Sequence, residues 1–120
     1  MTEQRVSIEC AGGVADVRLT RPDKMNALDP AMFAAIADAI ERLSGMSDLR
    51  AVVLSGEGRA FCAGLDMASM AGAGSGLELG ARSHGDANLF QQVAWGWRTL
   101  PVPVIAAVHG IAFGGGFQIL

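Results

Sequence analysis

Val6, Ile8 and Cys10 alternate with Ser7 and Glu9, the two-residue period of a half-buried strand. After Gly12-Gly13 the alternation resumes through Ala15, Val17 and Leu19, with Asp16 and Arg18 on the other face. The pattern predicts a β-hairpin. Residues 21–28 follow no period and contain Pro, Asp and Asn, so they read as a loop. Asp29-Pro30 is a helix start, an N-cap side chain followed by proline at the first helical position. Phe33, Ile36, Ala37, Ile40 and Leu43 then recur at helical spacing, Asp38, Glu41 and Arg42 face outwards, and Ser44-Gly45 stops the helix. Ala51 to Ser55 is apolar on both faces, as in a parallel strand covered on each side. Between residues 71 and 85, Gly72, Gly74, Gly76, Gly80 and Gly85 mark a surface loop, either a plain linker or a lid. Leu89, Val93, Trp97 and Leu100 restore helical spacing up to Pro101, and Val104 to Val108 reads as a second buried strand. Strand, helix and parallel strand predict a right-handed crossover and an α/β class.

Two stretches carry more than packing. Ala51–Ser55 runs into Arg59-Ala60-Phe61-Cys62-Ala63-Gly64-Leu65-Asp66-Met67, and Val104–Val108 runs into His109-Gly110-Ile111-Ala112-Phe113-Gly114-Gly115-Gly116-Phe117. Each is an apolar strand entering a turn where glycine lets the backbone approach another group closely. Two such turns at neighbouring strand ends can aim two main-chain N–H groups at one oxygen. That arrangement is an oxyanion hole, which acts on charge developing during a reaction.

Composition narrows this picture without redirecting it. A chain of 120 residues, 51% hydrophobic and 18% charged, makes one globular domain at most. Phe117-Gln118-Ile119-Leu120 opens a helix that stops within its first turn, so the chain is expected to be the N-terminal part of something longer. The net charge of −3, with Lys and Arg scattered, argues against a nucleic-acid footprint. Cys10 and Cys62 have neither metal nor redox spacing and read as free thiols in a reducing compartment. Residues 1–5 do not begin a signal peptide, and the longest apolar run, 101–108, falls well short of the ~20 residues that span a bilayer. A soluble cytoplasmic protein is the expectation.

Several chemistries drop out. No Gly-Lys-Ser/Thr follows a glycine run, and no Gly-x-Ser-x-Gly elbow is present. His84 and His109 stand isolated, so no metal site is expected. Trp95 and Trp97 read as packing residues, because no basic groove accompanies them. Cys62 as a nucleophile lacks a positioned base. The remaining rival is a dinucleotide site at Gly56-Glu57-Gly58-Arg59-Ala60-Phe61, which has two glycines of the fingerprint but Phe61 in place of the third.

Three ordered motifs carry a resemblance over nearly the whole chain. They are Arg21-Pro22-Asp23-Lys24-Met25-Asn26-Ala27-Leu28, then Phe61-Cys62-Ala63-Gly64-Leu65-Asp66-Met67, then Pro103-Val104-Ile105-Ala106-Ala107-Val108-His109-Gly110 with Gly114-Gly115-Gly116. They resemble the crotonase superfamily, the enoyl-CoA hydratases and isomerases. The resemblance implies a spiral of ββα units, of which residues 1–120 are the N-terminal part of a single domain. It also implies assembly as a homotrimer or a dimer of trimers, and an acyl-CoA thioester bound across the two glycine turns. Coenzyme A then enters as part of the substrate, with no separate cofactor. By position, the oxyanion-hole donors are the backbone N–H groups of Leu65, just after Gly64, and Gly115, the middle glycine, and Gly64 and Gly114 count among the substrate-binding residues. Lys24, Met25 and Ala27 fall in the loop lining the CoA channel, and Ala63, Asp66 and Met67 flank the adenine and thioester. Arg21, Lys24 and Arg59 are the cations near that channel, and at least one is expected to meet a CoA phosphate. Hydratases of the superfamily place a Glu two residues after the last glycine and a second about twenty residues later. Here the first position is Gln118, and the second lies past residue 120. Hydration, isomerisation and other enolate chemistry therefore stay open, beside two readings of another class, a truncated non-catalytic remnant and a nucleotide-binding module.

Overall fold

The computed structural model describes residues 4–67 and 88–120. Strand β1 (Val6–Ala11) pairs antiparallel with β2 (Val14–Leu19), from Val6 opposite Leu19 to Ala11 opposite Val14. Gly12 and Gly13 both have positive φ, 59° and 83°, as a tight two-residue hairpin turn requires. Ala15, Val17 and Leu19 are fully buried, so the alternation placed the core face of β2 correctly. Cys10, assigned by the same alternation to the apolar face of β1, is exposed.

A 3-10 turn at Pro22–Lys24 leads to helix α1 (Pro30–Ser44). Asp29 caps α1 by accepting the Met32 N–H at 2.8 Å, and Gly45 ends it. The inward face holds Met32, Phe33, Ile36, Ala37, Ala39, Ile40 and Leu43. Strand β3 (Ala51–Gly56) then returns parallel to β2, from Ala51 opposite Val14 to Gly56 opposite Leu19. A short strand β4 (Ala60–Cys62) follows it. Helix α2 (Leu89–Thr99) opens with a reciprocal cap in which Asn88 and Gln91 each accept the other's backbone N–H, at 2.8 and 3.0 Å. It packs on α1 through an edge-to-face contact of Phe33 and Phe90, ring centroids 4.9 Å apart. Strand β5 (Val104–Ala106) pairs parallel with β3, completing a four-stranded sheet in the order β1-β2-β3-β5. Strand β6 (Ile111–Ala112) pairs parallel with β4 in a second, two-stranded sheet, and a short helix α3 (Gly115–Ile119) follows.

Three expectations change. β5 is shorter and more open than predicted: Ile105 is 59% exposed and Val108 45%. Ile105 is open because it pairs with Val53 on the face away from the core, and the strand is short because the chain changes sheet. Ala107 still donates to Leu54 at 2.8 Å, but the His109 carbonyl already accepts from Phe61 in β4 at 2.9 Å. β3 is covered on one face only among the described residues. Val52 and Leu54 are fully buried in the core with α1 and α2, while Val53 and Ser55 line a shallow depression with Asp16 and Arg18. Trp97 packs into the core as expected, but Trp95 stays 45% exposed. The glycine-rich stretch 71–85, with its linker or lid reading, and His84 lie outside the described residues.

Candidate functional site

The two glycine turns meet. β4 and β6 run parallel side by side, and Phe113 N–H donates to the Cys62 carbonyl at 3.1 Å. Gly64 has φ +92°, and a methyl group there would stand 2.7 Å from the Phe113 oxygen and 3.6 Å from the Gly115 nitrogen. Gly116 packs so closely on the Cys62 carbonyl that no side chain fits between them. A methyl on Gly115 would meet Leu28 Cδ1 at 2.7 Å. Gly114, with φ +51°, turns the chain into α3. Among the described residues, no acceptor takes the backbone N–H of Leu65 or of Gly115.

Loop 21–28 holds the first turn in place. Leu28 donates to the Gly64 carbonyl at 2.7 Å and accepts from the Asp66 N–H at 2.9 Å, a parallel bridge centred on Leu65. The Ala63 N–H donates to the Met25 carbonyl at 2.9 Å, and Ala27 is buried behind it. Met25 and Asn26 take left-handed φ values of 51° and 56°, which Asn tolerates better than most residues. Asn26 is fully buried; its Oδ1 accepts from the Arg21 N–H at 2.8 Å. Its Nδ2 lies 3.0, 3.0 and 3.2 Å from the carbonyls of Glu57, Ala60 and Phe61. Asn26 stands in the first motif, yet the resemblance gave it no role, and a lone Asn in an aperiodic segment reads as an ordinary loop residue.

Arg21 is not a free cation. Its Nη1 lies 2.9 Å from Asp66 Oδ2 and donates to the Ala27 carbonyl at 3.1 Å, and its Nη2 lies 3.5 Å from Asp29 Oδ2. Arg5 Nη2 meets the same Asp29 oxygen at 2.9 Å. The expectation that Arg21 could serve a CoA phosphate is corrected by this burial between two carboxylates, whereas Lys24 and Arg59 stay exposed. Met67 and Leu65 are exposed, Ala63 and Asp66 half-buried. Gln118 is exposed and lines an open groove of about 840 Å³ with Phe90, Trp95, Trp97 and Val104. Leu65 and Gly115 do not line that groove, whereas Gln118 and Ile119 of the helix that begins at Gly115 do.

Burial pushes the Cys62 thiol up, outweighing a hydrogen bond from Gly64, and its Sγ lies 3.1 Å from the Asn26 carbonyl. It is a protonated, packed thiol with no thiolate character for nucleophilic attack. The dinucleotide reading also fails on geometry. Gly58 leads into β4 rather than into a helix, and a methyl on Gly56 would press on the Phe61 oxygen at 2.5 Å. Among the described residues there is no cluster of metal-ligating side chains, and no described helix is long and apolar enough to cross a membrane.

For Asp29, burial raises the carboxyl pKa, but hydrogen bonds from Arg5 and Met32 and the nearby charges of Arg21 and Arg5 outweigh it and hold the group below its usual range. A depressed folded pKa adds stability above the unfolded value near ~3.9, and that contribution is lost as pH falls through the folded value. Asp29→Asn keeps an N-cap acceptor but removes the charge. It is expected to cost about 1–3 kcal/mol at neutral pH and to flatten the acid limb below about pH 4. Urea unfolding across pH measures both; an unchanged acid limb would remove Asp29 from the balance.

The sequence model of the enoyl-CoA hydratase/isomerase family matches residues 9–120, and the chain belongs to that family. It is 37% identical over 119 residues to a protein of Rhodobacter capsulatus named as a probable enoyl-CoA hydratase, covering 99% of this chain and 44% of that one. It is 36% identical over 121 residues to the mitochondrial Delta(3,5)-Delta(2,4)-dienoyl-CoA isomerase of Mus musculus, covering 89% of this chain and 35% of the relative. The crystal structure of an enoyl-CoA hydratase from Mycobacterium smegmatis superposes with a TM-score of 0.80 at 36% identity, over 98% of this chain and 44% of the other. The fold is therefore of the crotonase type, and the chain spans less than half the length of these relatives.

Proposed function

We propose that residues 1–120 are the N-terminal part of a single crotonase-like domain in an enzyme that binds acyl-CoA thioesters and stabilises a thioester enolate. The N–H groups of Leu65 and Gly115 converge on the thioester oxygen. The observation that carries this reading is the contact of the two glycine turns, with both N–H groups lacking an acceptor among the described residues. Negative charge gathers on the thioester oxygen as the enolate forms, and one fixed donor at such a position is worth about 3 kcal/mol of barrier. Backbone donors need no reorganisation, so the glycines serve by permitting close approach. Lys24, Met25 and Ala27 line the CoA channel, with Ala63, Asp66 and Met67 beside the thioester and adenine. Lys24 and Arg59 are the cations open to a CoA phosphate. The complete protein is a cytoplasmic trimer or dimer of trimers.

Hydration needs a group to activate water and a group to deliver a proton to the α-carbon. A carboxylate exchanges protons near neutral pH; the Gln118 amide does not, although it can orient water or substrate by hydrogen bonds. Gln118 therefore favours isomerisation or another enolate reaction served by a single carboxylate elsewhere in the complete protein. The expected result is that the complete protein binds acyl-CoAs but not NAD(P) in calorimetry and hydrates crotonyl-CoA at well below ~10 per second. Gln118→Glu should raise hydration about tenfold or more. Failure to bind any acyl-CoA overturns the function, and rapid hydration by the unmodified protein overturns the role given to Gln118.

A further inference from the structure

We propose that the Arg21–Asp66 ion pair is a positioning device for the oxyanion donor at Leu65, a role that rests on the oxyanion-hole reading above. Asp66 follows Leu65 directly. The Gly64 carbonyl and the Asp66 N–H are both turned to Leu28, at 2.7 and 2.9 Å. In a parallel bridge the residue between two such groups points its own N–H and carbonyl to the opposite side. The Leu65 N–H therefore faces away from loop 21–28, and its direction follows the tilt of segment 64–66. Two backbone hydrogen bonds define a line about which that segment can still roll. The Asp66 carboxylate supplies a third anchor off that line, 2.9 Å from Arg21 Nη1.

Arg21 is itself fixed from several directions. Its N–H is bound by Asn26 Oδ1, its Nη1 by the Ala27 carbonyl, and its Nη2 stands against Asp29 at the cap of α1. The planar guanidinium fork transmits that orientation in a way a lysine ammonium would not. The Arg21 and Asp66 side chains are 10% and 13% exposed, so solvent and salt screen the pair weakly. A buried ion pair is a weak source of net stability. Its place one residue past a donor is accounted for by geometry. Donors must stand within about 2.7–3.1 Å of the developing oxyanion, and a displacement of about 1 Å costs on the order of 100-fold in rate.

The experiment uses the complete protein and an arylacryloyl-CoA thioester, whose absorption moves to longer wavelength when its carbonyl oxygen accepts hydrogen bonds. Asp66→Asn is expected to lower kcat by about 10- to 100-fold, with KM moving less than about threefold, because the interaction lost belongs to the transition state. The red shift of the bound thioester should shrink in parallel, and Asp66→Glu should recover part of both. Asp16→Asn, which breaks the exposed pair with Arg18, should leave both unchanged. If Asp66→Asn does not fold, Arg21→Lys is read in the same way per folded molecule. A wild-type red shift that survives intact in the variant, with kcat unchanged, overturns the positioning role alone. No red shift in the wild-type protein overturns the oxyanion hole itself and this role with it.

Discussion

Gly64→Ala is expected to reduce kcat of the complete protein on its acyl-CoA substrate by about 10²- to 10³-fold, the loss associated with removing one oxyanion donor. The backbone at Gly64 has φ +92°, a conformation in which a β-carbon is strained by roughly 1–2 kcal/mol. The new methyl would also stand 2.7 Å from the Phe113 oxygen, a backbone atom that cannot swing aside as a side-chain tip could. Relief has two routes. Either Phe113 retreats and takes Gly114 and Gly115 with it, or Gly64 retreats and carries Leu65 away. Both routes separate the two N–H groups proposed to share one oxygen. KM should change much less than kcat, since the ground-state carbonyl gains little from donors placed for the oxyanion. Steady-state kinetics on the folded variant is the measurement. A kcat near that of the unmodified protein would mean that the two turns need not touch for turnover.

What could be read along the chain was whatever local chemistry dictates. Gly12-Gly13 demands a tight hairpin, Asp29-Pro30 demands a helix start, and both stand where the pattern put them. The glycine turns were legible for the same reason, because only glycine fits Gly64 and Gly116 against the neighbouring backbone. Their meeting in space was inferred from their likeness, and the parallel pairing of β4 and β6 brings it about.

The rest depended on partners distant in the chain. Arg21 looks like a surface cation until Asp66, 45 residues on, closes over it. Nothing local distinguishes a buried arginine from a solvated one. The length of β5 failed for a related reason. Val104 to Val108 is apolar throughout, but the strand ends where His109 must reach Phe61 in the other sheet. Ile105 is exposed because it stands opposite Val53, on the face of the sheet away from α1 and α2, and an apolar run does not say which face is covered.

Asn26→Ala should produce the largest loss of stability of any single substitution considered, about 3–5 kcal/mol. The side chain is fully buried and joins loop 21–28 to the segment connecting β3 with β4. Two amide hydrogens on Nδ2 serve three carbonyl oxygens at 3.0–3.2 Å, so at least one contact is shared. Alanine would leave those carbonyls and the Arg21 N–H without their partner, each costing about 1–3 kcal/mol when closed off from water. The full sum overstates the loss, because a water entering the vacated space can restore two or more of the bonds. Alanine also fits the φ of 56° less well than Asn. Asn26→Asp separates hydrogen bonding from volume. It keeps the size of the side chain but turns an acceptor towards three carbonyls, so the introduced carboxyl should be driven towards its neutral form. Its folded pKa is then raised, and the stability lost at neutral pH should return in part as pH falls through that value. The alanine variant, with nothing to titrate, should show no such recovery. Urea unfolding of both variants between about pH 5 and 8 decides the matter. A cost below about 1 kcal/mol for Asn26→Ala would show that the loop is held by its backbone bridge to Gly64 and Asp66 alone.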